Sequence, residues 1–207
     1  MFTIKEDASA EIVEKRSRFI ANMFYIESVE EAENRIKQIK KKYYDAKHNC
    51  FAFNVLEDNQ LKSKMSDDGE PSGTAGEPIL NVINKNNLCN VLIVVTRYFG
   101  GVLLGAGGLT RAYSNASIRA LEEAEIVKKE PGNVVKVEIS YSDSEKFKFY
   151  CNKHNIKIVN SEYLENIFYE IEINDEELEK LKFDDTVKKE DKAGNIISCV
   201  ELCRKYV

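Results

Sequence analysis

Residues 91 to 113, VLIVVTRYFGGVLLGAGGLTRAY, constrain the fold more than any other stretch. Val91 to Val95 is an unbroken, β-branched apolar run of strand length, which predicts a central strand buried on both faces. The chain then enters a segment holding five of its ten glycines, Gly100, Gly101, Gly105, Gly107 and Gly108. Glycine allows positive φ and close approach to the main chain, and Thr110 to Glu123 has helical spacing. A glycine-rich loop opening a helix offers free N–H groups and a positive dipole end, and Arg97 and Arg111 flank it, so it reads as an anion or phosphodiester cradle or as a packing device. Neither nucleotide fingerprint fits. Gly100 to Gly105 lacks the Lys-Ser/Thr that must follow a P-loop, and Thr110 stands where a dinucleotide motif needs its last glycine.

Upstream, residues 10 to 26 read as a hairpin joined near Arg16-Ser17-Arg18. Ser28, with Glu31 three residues on, caps a helix that buries Ala32, Ile36 and Ile39. Its acidic start and the end at Lys37, Lys40, Lys41 and Lys42 suit the helix dipole. Residues 47 to 56 alternate as a strand with Phe51 and Phe53 facing the core. Asp58-Asn59 reads as a turn and Gln60 to Met65 as the returning strand. His48, at the start of that hairpin, is a site residue or a cap.

Ser66 to Pro78 is a loop of turn formers carrying Asp67, Asp68 and Glu70. It precedes a helix from Ala75 to about Ile83, with Ser72 or Thr74 as cap candidates. Both loops open helices, and in one fold they can meet at one end of the sheet, pairing Asp67, Asp68 and Glu70 with Arg97 and Arg111. Structural ion pairing, carboxylates holding magnesium over a phosphate, and a general acid and base pair all remain open for such a cluster.

The chain of 207 residues, net charge −5, is long enough for one large domain or two modest ones. Before Pro131 it has 18 Lys and Arg against 19 Asp and Glu, and from there 12 against 16, so any contact with RNA must be local. No apolar run is long enough to span a membrane, and Lys5, Glu6 and Asp7 stand where a signal peptide needs an apolar core; a soluble, cytoplasmic protein is expected. The five cysteines, Cys50, Cys89, Cys151, Cys199 and Cys203, form no Cys-x-x-Cys pair, so reduced thiols rather than a disulfide framework or a metal site are expected, with no cofactor.

Ile126 to Lys128 reads as a short strand closing the first domain, 1–130, and Glu130 to Asn133 as a linker. In the second domain, 131–207, strands at Val134–Tyr141, from Ile156, at Ile167–Ile173 and at Ile196–Tyr206 alternate with helices capped by Ser142 or Asp143 and begun by Asp175. That order, β-α-β-β-α-β, is ferredoxin-like, and nothing in it looks catalytic, so it reads as an accessory docking domain.

Asp67-Asp68-Gly69-Glu70-Pro71-Ser72-Gly73-Thr74-Ala75-Gly76, Arg97-Tyr98-Phe99-Gly100-Gly101 and Leu104-Gly105-Ala106-Gly107-Gly108-Leu109-Thr110-Arg111-Ala112-Tyr113 together resemble the IMPACT/YigZ family, with Ser17-Arg18-Phe19-Ile20 and His48-Asn49-Cys50 also matching. The resemblance implies an α+β chain of two domains. The first is like the second domain of ribosomal protein S5 and domain IV of elongation factor G, and the second is like that factor's ferredoxin-like domains. Because eukaryotic relatives regulate translation under stress, the resemblance implies a non-enzymatic regulator of translation or stress response. RNA, the ribosome or a translation factor would be bound through Arg97, Tyr98, Gly100, Gly101, Gly105, Gly107, Gly108, Thr110 and Arg111, with Ser72, Gly73 and Thr74. The alternative is an enzyme acting on a small anionic or phosphorylated ligand, with Asp67, Asp68, Glu70 or His48 as base or, for a carboxylate, metal ligand.

Overall fold

Strand β1 (Phe2–Ile4) precedes a hairpin of β2 (Ala8–Glu14) and β3 (Ser17–Tyr25). Helix α1 (Val29–Lys42), the hairpin β4 (His48–Glu57) and β5 (Gln60–Ser66), helix α2 (Gly76–Lys85), strand β6 (Val91–Tyr98), helix α3 (Ala106–Glu122) and strand β7 (Ile126–Lys128) complete the first unit, Met1–Lys128. This is a computed structural model that describes residues 1–57, 60–182, 193–194 and 196–206, with side chains as far as 203, so the Asp58-Asn59 turn lies outside the described residues.

The main sheet is antiparallel throughout, in the order β2-β3-β6-β4-β5, so the Val91–Val95 run sits at its centre. Successive strand residues point to opposite faces. Val91, Ile93 and Val95 therefore pack with Ile79, Ile83, Leu109 and Tyr113 from α2 and α3, while Leu92 and Val94 pack with Ala32, Ile36 and Ile39 of α1. The same two-sided burial takes in β4. Phe51 and Phe53 face the core as expected, but so do Cys50 and Ala52 on the opposite side. Burying each of the large apolar side chains among these, Val, Leu, Ile or Phe, contributes about 1.5–3 kcal/mol. Strand β1, which the sequence pattern did not reveal, pairs with β7 outside the main sheet.

Two start signals behave differently. Ser28 accepts the Glu31 N–H at 3.1 Å, as its capping pattern implies, while the Glu31 carboxylate reaches back one residue further than expected, to the Glu27 N–H at 3.0 Å. For α2 neither Ser72 nor Thr74 caps; the Thr74 hydroxyl donates to the Pro71 carbonyl at 2.7 Å, and an aspartate upstream does the capping.

The second unit, Lys129–Val207, contains β8 (Pro131–Ile139), a 3-10 turn at Tyr141–Asp143, α4 (Ser144–Lys153), β9 (Lys157–Tyr163), β10 (Ile167–Asn174), α5 (Asp175–Lys182) and β11 (Ile196–Tyr206). Pro131 to Asn133 belong to β8 rather than to a linker, because they continue its ladder with β10 and β11. The sheet order β11-β8-β10-β9, all antiparallel, is the ferredoxin-like arrangement. Val135, Val137, Ile139, Tyr169 and Ile171 form its core with Phe147 and Leu178 from the helices. Neither Ser142 nor Asp143 caps α4 with its side chain; the Asp143 carboxylate instead takes Lys146 at 3.3 Å.

Candidate functional site

The site is built at the end of the first unit's sheet where β6 runs out. Strand alternation puts Arg97 on the same face as Val95, so its guanidinium enters the core side and only 7% of the side chain is exposed. There its Nη1 donates to Glu70 Oε1 at 2.7 Å, and Glu70 is itself only 3% exposed. Tyr113, carried in by α3, donates its hydroxyl to the same Oε1 at 2.8 Å. Ser17, at the start of β3, accepts from Arg97 Nη2 at 3.5 Å and from the Gly100 N–H at 3.2 Å. The Arg97 Nε is buried with no hydrogen-bond partner; the guanidinium carbon stands 5.5 Å from the Phe19 ring centre and 5.6 Å from that of Phe99.

Each remaining acid of the 66–78 loop has its own task. Asp67 accepts the N–H groups of Gly73 at 2.9 Å, Ala75 at 2.9 Å and Gly76 at 2.8 Å, and so caps the bare start of α2. Partial burial opposes ionisation of its carboxyl, yet the three backbone donors together outweigh it and hold the group below its ordinary value. Asp68 accepts from Lys40 at 2.6 Å and from the Asn49 N–H at 2.7 Å, joining the end of α1 to β4. His48 lies 3.0 Å through Nδ1 from the Asp68 carbonyl, which can only accept, so Nδ1 carries the proton and the ring acts as a latch on the loop. Cys50 donates its thiol to the Asp67 carbonyl at 2.9 Å and lies 3.3 Å from the Tyr113 hydroxyl. Burial pushes that thiol up to about 12 and drives the Tyr113 phenol well above its ordinary value.

The structure thus brings Glu70 to Arg97, as the pairing of the two loops implies, and sends Asp67 and Asp68 elsewhere. Arg111 joins neither. It lies on the exposed side of α3, makes no ion pair among the described residues, and lines a small cavity of about 90 Å³ with Glu14, Lys15, Leu104, Gly108, Ala112 and Asn115. Helix α3 starts four residues before Thr110, so Gly107 and Gly108 lie in its first turn. Its cap residue Gly105, at φ 72°, supplies no side-chain cap. Tyr98 is held at the rim, its hydroxyl donating to Asp45 at 2.7 Å. Ser72, Gly101, Gly105, Gly107 and Thr110 are exposed, whereas Thr74 is buried. Sequence reasoning missed Ser17, Lys40, Cys50 and Tyr113 as members of the network; the spacing of Leu109 and Tyr113 on one helix face marks Tyr113 only as a core residue. Among the described residues no three His, Cys, Asp or Glu side chains are grouped to hold a metal ion, and no helix is long and apolar enough to cross a membrane.

Comparison with known proteins matches this architecture unit by unit. The Impact N-terminal domain matches residues 15–121, and a domain of unknown function (DUF1949) matches residues 137–182. The chain is 38% identical to the IMPACT family member YvyE of Bacillus subtilis over 176 residues, 85% of this chain and 81% of that protein. It is 33% identical to the IMPACT family member YigZ of Escherichia coli over 150 residues, 72% of this chain and 74% of that one. A crystal structure of a hypothetical protein superposes with a TM-score of 0.64 at 26% identity, covering 97% of this chain and 96% of its own. With both units matched and the two long loop motifs placed on one buried network, the chain belongs to the IMPACT family.

Proposed function

We propose that this protein is a non-enzymatic regulator linked to translation or stress response, acting in the cytoplasm, which binds RNA, the ribosome or a translation factor through the outward side of the β6–α3 loop. The supporting observation is a division between inner and outer groups. Arg97 and Glu70 are buried against each other, and the half-buried Asp67 and Asp68 are tied to the α2 start and to Lys40, whereas Arg111 and the uncapped first turn of α3 face outward. Backbone N–H groups at a helix start and an arginine suit phosphate oxygens without reading sequence. The second unit supports docking rather than nucleic-acid binding of its own. The sheet face away from its core carries Glu138, Glu170 and Glu172 around Phe168, whose ring already holds Lys136 at 5.0 Å.

The acids' engagements weigh against carboxylate-driven chemistry, since each would have to surrender a structural contact to act as base or metal ligand. Co-sedimentation with purified ribosomes and filter binding of RNA test the binding reading: retention at low salt that fades as salt rises is expected, and no retention of either kind at low salt overturns it. A thermal-shift screen of nucleotides with magnesium tests the alternative, where a rise in Tm abolished by Asp68→Asn would favour an enzyme.

A further inference from the structure

The outward side of the site carries more than charge. Between β6 and α3 the chain exposes Phe99 at 57%, Val102 at 39% and Leu103 at 83%. Three large apolar side chains on one short loop are not needed to grip a phosphate. Beside them lies the β2–β3 turn, whose two linking residues, Lys15 and Arg16, both have positive φ, 45° and 65°. A two-residue turn of that kind is ordinarily built from Asn and Gly, and a long side chain at either position strains the backbone. The turn is fixed to the loop. A Cβ on Gly100 would stand 2.0 Å from the Arg16 carbonyl carbon, and the Gly100 N–H binds Ser17. Lys15 and Arg111 also line one cavity. Lys15, Arg16 and Arg111 make no ion pair among the described residues, and Glu14 is the acid that shares the cavity with two of them.

We propose that Phe99, Val102 and Leu103, rimmed by Lys15, Arg16 and Arg111, form a docking knob for a protein partner that bears an apolar socket edged with carboxylates. This rests on the loop being the binding face and goes further by choosing protein over RNA among the partners. Bases stack on aromatic faces, and Phe99 already lies against Arg97, while Val102 and Leu103 offer a base no π-face. Aliphatic side chains are stabilised by an apolar pocket, and the unpaired cations complement an acidic rim. A net charge of −5 disfavours a polyanionic duplex or an anionic lipid surface, but not a small acidic rim that meets only the knob.

The test places p-benzoylphenylalanine at position 103 and irradiates the full chain with purified ribosomes and, separately, purified elongation factors. The expected result is an adduct that resists ribonuclease and yields to protease. Leu103→Ser is expected to weaken binding to the same probe roughly tenfold to a hundredfold with Tm unchanged, and Lys15→Glu with Arg16→Glu to slow association. An adduct lost on ribonuclease treatment overturns the protein socket and leaves the translation-linked reading standing. Flotation with vesicles of phosphatidylcholine and phosphatidylserine, lost in Leu103→Ser, overturns it in favour of a lipid surface. Binding unaffected by Leu103→Ser removes the knob, and wild-type chain that binds neither ribosomes nor factors overturns both readings together.

Discussion

Arg97 and Glu70 meet at 2.7 Å with 7% and 3% of their side chains exposed, which makes the most recognisable arginine of the chain a member of its core. The pair joins β6 to the acidic loop, and Tyr113 on the same carboxylate oxygen adds α3. A buried charge left without its partner is far more costly than the pair itself is stabilising.

Removing one partner therefore acts on stability. Arg97→Met or Glu70→Leu is expected to lower the unfolding free energy by about 3–5 kcal/mol, and the double variant by less than the sum of the two. Urea denaturation of the three variants checks this. Additive losses would mean that the two side chains do not depend on one another.

Asp67 gives a pH signature. Its folded-state pKa lies below the ordinary 3.8, so its contribution is present above that value and is lost as pH falls through the lower folded value. Asp67→Asn is expected to cost about 1–2 kcal/mol at pH 7, a helix-cap magnitude. The gap to the wild type should shrink below pH 3.8 in thermal melts followed across pH.

Gly100 and Gly101 separate two uses of glycine. At Gly100 the main chain has no room, with backbone atoms of Arg16 at 2.0 Å from an added Cβ, so Gly100→Ala must push the β2–β3 turn away and cost about 1–3 kcal/mol or more. Gly101 has φ 84° and open space, so Gly101→Ala adds backbone strain alone, about 1–2 kcal/mol. Chemical denaturation of both, with proteolysis to report loosening of the turn in Gly100→Ala, distinguishes the two.

The thiols should sort by burial. Burial raises Cys50 and Cys151 to about 12, while Cys203 is exposed. In native protein at pH 8, Ellman's reagent is expected to label Cys203 and to leave Cys50 and Cys151 intact until unfolding.

The architecture was legible in the sequence where local pattern and tertiary demand agree. The Val91–Val95 run, the Ser28 cap and the alternation of Ile167–Ile173 each specify their element without knowledge of the rest. The short β1 escaped because its three residues gain meaning only from a partner, β7, over a hundred positions away. Within the site, the glycine and arginine motif marked the place but not the direction of its side chains. The β6 alternation that buries Val95 also buries Arg97, a step that could have been read from the sequence. The choice of Asp67 over Ser72 as cap for α2 could not, since it depends on a carboxylate reaching backbone six to nine residues away.

The proposed division of labour, binding through the outer loop with the inner arginine supporting the fold, sets Arg111 against Arg97. Ribosome affinity and Tm measured together for Arg111→Ala and Arg97→Ala separate the two roles. Arg111→Ala is expected to lose affinity several-fold at low salt with Tm unchanged, and Arg97→Ala to lose Tm. An Arg111→Ala variant that binds ribosomes as tightly as the wild type at low salt would rule out the outer loop as the binding face.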